Sequence, residues 1–456
     1  MKFVNVLFVV LLYCTHLSAQ VTLPNNLYFT HIGVEDGLCQ NTVCCILQDH
    51  LGFIWLGTKD GLTRYDGYRF RVFKHDAADP MSIGNNFIRV LYEDADGLIW
   101  IGTNVGVYIY NPETENFRKF DMATERGDVI SREVSSIKCD SSGDLWIGVN
   151  WQGVFRYDRR DESLELYEPV PGDTTSLSSV HVWDLCFDGD GNLWVGSQNG
   201  GLDRYDRETD RFVRHRLKGL SDVSRIVLDK QNQLLLGTMK DGLFSFNPYM
   251  GTCQPLLLDS GHKDLFVRAI FVRNSREVVV GTENGIYIYD CVTRKTRHVN
   301  QELGNPYSLS CKAVYSIYCD KEGALWIGTY FGGVNYLPPS SSLIFDKFYP
   351  IGHSDRLSGK AVREFVRDEN GIIWIGTEDQ GLNRFDPVSG KFTHYNSRNS
   401  GLSCDNVHGL CVDGDRLYIG TFFGGFNIMD LKTNEIVALG SQTVSYTHLR
   451  AHETKA

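Results

Sequence analysis

The chain has 456 residues, of which 42% are hydrophobic and 22% are charged, a composition typical of globular proteins and unlike that of a disordered chain. It contains 45 glycines but only 12 prolines, and its 56 acidic residues outnumber 45 basic ones, for a net charge of −11. Because the sequence has no basic run, we exclude a nucleic-acid partner for this part of the protein.

The first predicted element is an export signal at residues 1–19. Lys2 supplies the charged start, residues 4–13 form an apolar stretch, and the small residues at 17–19 make a cleavage site before Gln20. About ten apolar residues are too few to span a bilayer. We therefore expect the mature chain to be exported.

Twelve cysteines are spread along the chain. None stands in a CxxC pair or beside histidines at the spacing of a metal site. Several, among them Cys186 and Cys411, fall inside apolar strand runs, where cysteine behaves as a small core residue. The sequence therefore predicts buried free thiols, with no metal and no other cofactor.

The body of the chain is one repeated unit. Copies such as FIWLGTKDGLTRYD, LIWIGTNVGVYIYN and IIWIGTEDQGLNRFD share a central glycine, and successive glycines are 41 to 48 residues apart. The nine shared glycines are Gly57, Gly102, Gly148, Gly196, Gly237, Gly281, Gly328, Gly376 and Gly420.

Each copy predicts four short strands. An apolar strand ends at a turn aspartate, and the W-x-G strand, a hairpin, a G-L-x-R-Y-D strand and an F-x-x-F/Y strand follow. The Asp-x-Asp-Gly turns at Asp94 and Asp188 lack the position-twelve glutamate of a calcium loop, so we interpret them as turns. Four antiparallel strands every 40 to 50 residues are typical of a propeller blade. The predicted fold is an all-β β-propeller whose tryptophans pack between blades.

These repeats resemble the two-component regulator propeller repeat family over residues 27–436. The opening FTHIGVEDGLCQNTVCCILQDHLGFIWLGT resembles the start of the sensor half of hybrid two-component histidine kinases from gut bacteria. The resemblance implies two seven-bladed propellers, followed in the intact protein by a β-sandwich, one membrane helix, a kinase core, a receiver and a DNA-binding domain. It also implies a periplasmic location, anchoring in the inner membrane, a homodimer, and a glycan-derived ligand that switches on polysaccharide-utilisation genes.

On this basis we expect a first seven-bladed propeller at residues 20–348. Residues 349–443 would be blades eight and nine of an incomplete second propeller, unstable alone because an open propeller exposes a blade face and a strand edge. The tail at 444–456 begins VSYTHLRAHET, which is the translation of a common transposon sequencing adaptor. We expect the natural sequence to end near Thr443.

The innermost strand of each copy has two apolar positions, six and three residues before the turn aspartate, which we predict to be core in all nine copies. The position five before the aspartate varies and breaks this pattern. Its residues are Cys44, Arg89, Ser135, Trp183, Ser224, Arg268, Tyr315, Arg363 and His408. We therefore predict that it faces the mouth of the central channel.

Arg89, Trp183, Arg268 and Tyr315 would converge at that mouth. Guanidinium groups and aromatic faces suit a sugar, and arginine favours one that carries a carboxylate or sulfate. The alternative is that the arginines pair with aspartate or glutamate across blades. Two aromatic residues of the hairpins after W-x-G, Trp151 and Tyr330, are further candidates for the ligand site.

We expect a periplasmic ligand-sensing domain that binds an oligosaccharide or another small ligand, with no catalytic residues in this chain. Two alternatives stay open. One is an exported propeller enzyme acting on glycans, and the other is a scaffold for protein contacts.

Overall fold

The computed structural model describes residues 22–217, 220, 222–257, 265–339, 347–348 and 356–439. The predicted export signal at 1–19 and the predicted adaptor-derived tail at 444–456 lie outside the described residues. The described part forms nine four-stranded antiparallel sheets and one short 3₁₀ helix, Val34–Asp36. The all-β class and the four-stranded blades are thus confirmed.

The strands are numbered in chain order. Strand β1, Thr30–Ile32, precedes the first repeat. Those of the first four repeats are β2 Val43–Gln48, β3 Ile54–Thr58, β4 Gly61–Tyr65, β5 Phe70–Phe73, β6 Ile88–Glu93, β7 Ile99–Thr103, β8 Gly106–Asn111, β9 Asn116–Phe120, β10 Val134–Cys139, β11 Leu145–Val149, β12 Gly153–Asp158, β13 Ser163–Tyr167, β14 Val182–Phe187, β15 Leu193–Ser197, β16 Gly201–Asp206 and β17 Arg211–His215. Those of the remaining repeats are β18 Val223–Leu228, β19 Leu234–Thr238, β20 Leu243–Asn247, β21 Thr252–Leu257, β22 Val267–Val272, β23 Glu277–Thr282, β24 Gly285–Asp290, β25 Lys295–Val299, β26 Val314–Cys319, β27 Leu325–Thr329, β28 Val334–Leu337, β29 Val362–Arg367, β30 Ile373–Thr377, β31 Leu382–Asp386, β32 Lys391–Tyr395, β33 Val407–Asp413, β34 Arg416–Thr421, β35 Gly425–Asp430 and β36 Ile436–Leu439.

Eight of the sheets consist of four strands that are consecutive in the chain, β2–β5 in sheet one and β33–β36 in sheet nine. Sheet seven differs, because its fourth strand is β1 from the beginning of the described chain. Thr30 lies opposite Tyr336, and Ile32 lies opposite Val334. Strand β1 was not predicted from the repeats, since the segment around it has no W-x-G pattern.

The shared glycine of each repeat marks a close approach between neighbouring sheets. A Cβ at Gly57 would lie 2.7 Å from Cγ2 of Ile88 in sheet two, and the same contact recurs from each sheet to the next. A Cβ at Gly328 of sheet seven would lie 2.8 Å from Cγ1 of Val43 in sheet one. Sheets one to seven therefore contact one another in a closed cycle, in which each innermost strand contacts the innermost strands of its two neighbours.

The side chains of the turn aspartates accept hydrogen bonds from the turn and from the strand that follows it. In sheet two, Oδ1 of Asp94 accepts hydrogen bonds from the backbone N–H groups of Asp96 and Leu98, at 3.0 and 2.9 Å. Oδ2 accepts one from the Trp100 indole at 2.7 Å. The same indole bond forms in five other sheets, between Asp49 and Trp55, Asp140 and Trp146, Asp188 and Trp194, Asp320 and Trp326, and Asp368 and Trp374. These residues are turns, as predicted, and the tryptophans are core residues.

The chain divides by its contacts into two compact units, one with sheets one to seven and one with sheets eight and nine. Within the second unit, one prediction was wrong. Val362 and Phe365 occupy the inner-strand positions predicted to be core, but they are 48% and 73% exposed. These positions are buried where a preceding sheet of the same unit covers them, and in the described part of the second unit no sheet precedes sheet eight. The domain boundaries drawn at residues 348 and 443 stay predictions.

The eleven cysteines of the described residues are all free thiols. Cys186 is buried, whereas Cys411 is exposed, so the expectation of a core position was wrong for Cys411. Cys411 lies on β33 in sheet nine, and its side chain is on the surface of that sheet.

Candidate functional site

The varying position of each innermost strand is a β-bulge. In sheet one Val43 pairs with Thr58 and Cys45 pairs with Gly57, which leaves Cys44 without a partner in the ladder. The same register shift occurs in the innermost strand of every sheet. A bulge turns the extra side chain out of the regular alternation. This is the physical reason why the position does not follow the core pattern.

Each bulged residue lies beside the hairpin that follows β3 or its counterpart in the same sheet. The backbone N–H of Tyr330 donates to the carbonyl of Ala313 at 3.0 Å, and that of Lys59 donates to the carbonyl of Thr42 at 3.2 Å. These bonds join the hairpin to the residue two positions before the bulge. As a result, the rings of Tyr315 and Tyr330 are in contact, with centroids 5.1 Å apart and planes tilted by 36°.

Eight side chains of the first unit form a continuous series of contacts, which we call the arc. Its members are Arg89, Phe87, Lys59, Tyr330, Tyr315, Arg268, Phe266 and Trp183. In its first half, the Arg89 guanidinium lies 4.2 Å from the centre of the Phe87 ring. The Lys59 ammonium lies 5.7 Å from the same ring and 4.2 Å from the centre of the Tyr330 ring.

In the second half of the arc, the Arg268 guanidinium lies between two rings. Its distance is 4.3 Å to the centre of Tyr315 and 4.1 Å to the centre of Phe266. Phe266 in turn meets Trp183 edge to face, with centroids 6.4 Å apart. The indole N–H of Trp183 is buried and has no hydrogen-bond partner among the described residues.

The two arginines of the arc are also ion-paired. Arg89 binds Glu133 of sheet three at 3.0 Å and donates from Nε to Asn104 at 2.8 Å. Arg268 binds Glu283 of its own sheet. The alternative interpretation, pairing with carboxylates across blades, is therefore correct for Arg89, whereas Arg268 pairs within its own sheet. Their side chains stay 31% and 25% exposed, so each guanidinium is fixed in orientation and still accessible.

The structure places Trp151 apart from the arc. Its side chain is 65% exposed, its backbone has φ of 71°, and its ring meets His181 at 4.1 Å between centroids. Five of the six predicted site residues thus belong to the arc: Arg89, Trp183, Arg268, Tyr315 and Tyr330. Trp151 does not.

The sequence analysis missed Arg225. It stands directly after the bulge of sheet five, and it donates from Nε to the carbonyl of Arg268 at 2.7 Å and from Nη1 to that of Ser224 at 2.8 Å. Burial lowers the pKa of Arg225, and the charge of Asp184 opposes that shift. The sequence did contain a signal for Arg225. Asp184 and Arg225 are charged, whereas the same repeat position holds small or apolar residues in sheets one to three, six and seven.

Cys44 lies where the charges of the arc meet. Burial raises the pKa of its thiol to about 11, although Arg89, Lys59, Arg268 and Arg225 each act to lower it. Within the described ranges, no group of three or more His, Cys, Asp or Glu side chains is placed to hold a metal ion. The same residues include no helix long and apolar enough to cross a membrane.

The profile of the two component regulator propeller family matches five segments, residues 37–60, 82–105, 176–199, 308–331 and 356–379. These five segments, which together cover less than half of the chain, are similar to two component regulator propeller repeats. Each of the five matched segments contains an innermost strand or the loop before it, and the first and fourth contain Lys59 and Tyr330 of the arc.

The chain is also similar to solved structures and to a curated relative. The extracellular domain of a hybrid two component system from B. thetaiotaomicron is 26% identical, with a TM-score of 0.73 over 91% of this chain and 55% of that one. Virginiamycin B lyase from Staphylococcus aureus, 12% identical with a TM-score of 0.53 over 69% of this chain and 99% of that one, shares the fold alone. A 59-residue segment is 39% identical to histidine kinase P4 of Formosa agariphila, covering 13% of this chain and 4% of the kinase.

The chain therefore spans about half the length of the extracellular domain that it matches and a small part of the kinase. It is a propeller chain like the extracellular regions of hybrid two-component sensors.

Proposed function

We propose that this chain is the ligand-sensing part of an exported two-component sensor, and that it binds an oligosaccharide at the arc. The observation that carries the proposal is the arc itself, in which aromatic rings and cationic groups are in contact. Six of its eight residues stand at bulges and hairpins, where side chains are free to vary without disturbing the blade core.

The chemistry of the arc suits a sugar. The apolar face of a pyranose ring stacks on an aromatic ring, and Tyr315, Tyr330 and Trp183 offer such rings. Sugar hydroxyls both donate and accept hydrogen bonds, so they suit guanidinium groups and the carboxylates of Glu133 and Glu283. Because ion pairs and stacking already fix the orientation of both arginines, less side-chain entropy is lost on binding.

Signalling needs a ligand that binds two arrangements of the receptor with different affinity. We propose that the propeller chain supplies the binding step in the periplasm and that kinase chemistry belongs to other parts of the intact protein. The likeness to an extracellular domain of a hybrid two component system supports this division of roles.

The test is calorimetric titration of the full chain with a panel of neutral and acidic oligosaccharides. We expect saturable heat with at least one of them and no breakdown of the sugar. Arg268→Ala and Tyr330→Ala should each weaken that binding about tenfold, the loss expected for a central contact residue. The matched control is Arg118→Ala, since Arg118 is an exposed residue of β9 on the outer edge of sheet two.

No heat across the panel, or equal binding by Tyr330→Ala and the control, would contradict the proposal. Release of new reducing ends during the titration would point instead to an enzyme. Tyr330→Ala keeps the test valid if Arg268→Ala fails to fold, because Tyr330 lies in a hairpin rather than in the innermost strand.

A further inference from the structure

Four cationic side chains act electrostatically on the Cys44 thiol: Lys59, Arg89, Arg225 and Arg268. Arg89 and Arg268 also act on Arg225, and Arg225 is bonded to the backbone of Arg268. We call these four residues the cation cluster. They come from sheets one, two, five and six, so the cluster exists only in the closed ring.

Two members of the cation cluster have carboxylate partners and two do not. Glu133 and Glu283 pair with Arg89 and Arg268. Within the described ranges, no carboxylate lies within ion-pair distance of Lys59, whose ammonium sits over aromatic rings.

Arg225 likewise has no ion-pair partner among the described side chains, and its two hydrogen bonds go to backbone carbonyls. Asp184 is the acidic group that acts on Arg225, but no ion-pair contact joins the two side chains. The Asp184 oxygens instead accept from Ser136 Oγ at 2.9 Å and from the backbone N–H of Ile226 at 3.0 Å. Among the described residues, the cluster therefore has two cations without a carboxylate at ion-pair distance, in a chain whose net charge is −11.

We propose that the cation cluster is the seat for an anionic group of the saccharide, a carboxylate or a sulfate ester, with Lys59 and Arg225 as its principal charge partners. This inference rests on the proposed function and specifies its ligand class. Half-buried cations gain more from an anion than exposed ones do, because the surrounding medium screens the interaction less. Tyr315 and Tyr330 lie beside the cluster and would hold the ring that carries the anionic group.

Specificity follows from the same arrangement. A neutral sugar would cover the cluster and remove water from Lys59 and Arg225 without giving them a counter-charge, which disfavours it. An acidic sugar supplies that charge. We therefore expect discrimination between an acidic oligosaccharide and its uncharged ester of the same shape.

The first test uses inorganic sulfate as the probe and the full chain as the protein. Calorimetric titration at constant ionic strength, with chloride as the balancing ion, should give saturable sulfate binding. Lys59→Met should weaken it about fivefold and Lys59→Glu should abolish it, while Arg118→Met should leave it unchanged. Lys59 lies in a hairpin, so its variants are expected to fold even if Arg225→Met does not.

The second test separates this inference from the proposed function. A trisaccharide of uronic acids and its methyl ester share a skeleton and differ in charge. We expect the acid to bind at least about tenfold more tightly than the ester, and Lys59→Glu to remove that difference. Sulfate binding without any oligosaccharide binding would keep the seat and overturn the proposed function. Equal binding of acid and ester, or sulfate binding untouched in Lys59→Glu, would overturn the seat and leave a neutral-sugar sensor.

Discussion

The innermost strands of sheets one to seven and of sheet eight follow the same sequence pattern, but they differ in burial. Val43 in sheet one is fully buried, whereas Val362, at the same repeat position in sheet eight, is 48% exposed. Ile46 is half-buried and its counterpart Phe365 is 73% exposed. The difference shows that one face of each sheet depends on its neighbour for burial. The sequence of one repeat is therefore enough to form a sheet, but the core between sheets forms only where a neighbouring sheet is present.

The close approaches at the shared glycines show the same dependence at the level of atoms. Val43 of sheet one lies close to Gly328 of sheet seven, and Val407 of sheet nine lies close to Gly376 of sheet eight. Within the described part of the second unit, sheet eight therefore covers sheet nine, and no sheet precedes sheet eight. Sheet nine's Val407 is accordingly fully buried.

Replacing each of the two equivalent valines with a charged residue tests this comparison most directly. Val43→Asp should lower the free energy of unfolding by roughly 4 kcal/mol or more, since it buries an unpaired carboxylate. Val362→Asp should change it by less than about 1 kcal/mol, because that side chain is already half in water. Urea unfolding of the full chain, followed by circular dichroism, measures both. Equal losses would mean that sheet eight's face is covered after all.

A second contrast concerns the third strand. Asn335, Asn383 and Asn427 of sheets seven to nine accept a hydrogen bond from a serine backbone N–H, whereas sheet four has Asp203 at this position, bonded to Ser178. Burial raises the pKa of Asp203 to about 6, although Ser178 acts to lower it. The protonated form is thus favoured by folding, and its contribution to stability is complete below about pH 4 and is lost as the pH rises through 6.

We expect Asp203→Asn to match the parent chain at pH 4 and to gain up to about 3 kcal/mol by pH 7 to 8. Asparagine fits, because in sheet eight Oδ1 of Asn383 accepts from both the N–H and the hydroxyl of Ser358. Thermal unfolding between pH 4 and 8 measures the gain, and Asn335→Asp is the reverse control. A gain that is the same at every pH would show that the charge of Asp203 is not the cause.

The smallest expected effect concerns the hydrogen bond between the turn aspartate and the tryptophan, which sheets seven and eight share. Asp320→Ala in sheet seven and Asp368→Ala in sheet eight should each cost about 1–3 kcal/mol, since both remove an indole hydrogen bond, of 2.8 and 2.9 Å. Asp229→Ala should cost less, because Leu235 of sheet five occupies the tryptophan position and donates no such bond. Urea unfolding of the three variants provides the comparison. A much smaller cost for Asp368→Ala than for Asp320→Ala would mean that the whole of sheet eight is loosened, not only its open face.

Much of the fold could be predicted from the sequence, because its signals are local and repeated. The turn aspartate, the W-x-G strand and the hairpin each depend on a few adjacent residues. Strand β1 could not be predicted this way, since its pairing with β28 joins positions about 300 residues apart and follows no repeat pattern. The exposure of Val362 was missed for a related reason, because burial there depends on a neighbouring sheet.

The candidate site was predicted in part. Arg89, Trp183, Arg268 and Tyr315 were found because they break the apolar pattern, and the structure shows that a bulge causes the break. Lys59 and Arg225 were not selected, since their importance lies in missing ion-pair partners, which sequence does not reveal. Trp151 was selected for its exposed aromatic ring, but exposure alone does not bring a side chain to the arc.

The central claim is that the ligand is recognised at the mouth of the first unit. Hydrogen–deuterium exchange of the full chain, with and without the oligosaccharide that gives the largest calorimetric signal, tests it most directly. The account predicts slower exchange in the hairpins at residues 59–60, 283–284 and 330–332, and no change at 378–380 and 422–424 in sheets eight and nine. Protection at the hairpins of sheets eight and nine, with none at Lys59 or Tyr330, would contradict it.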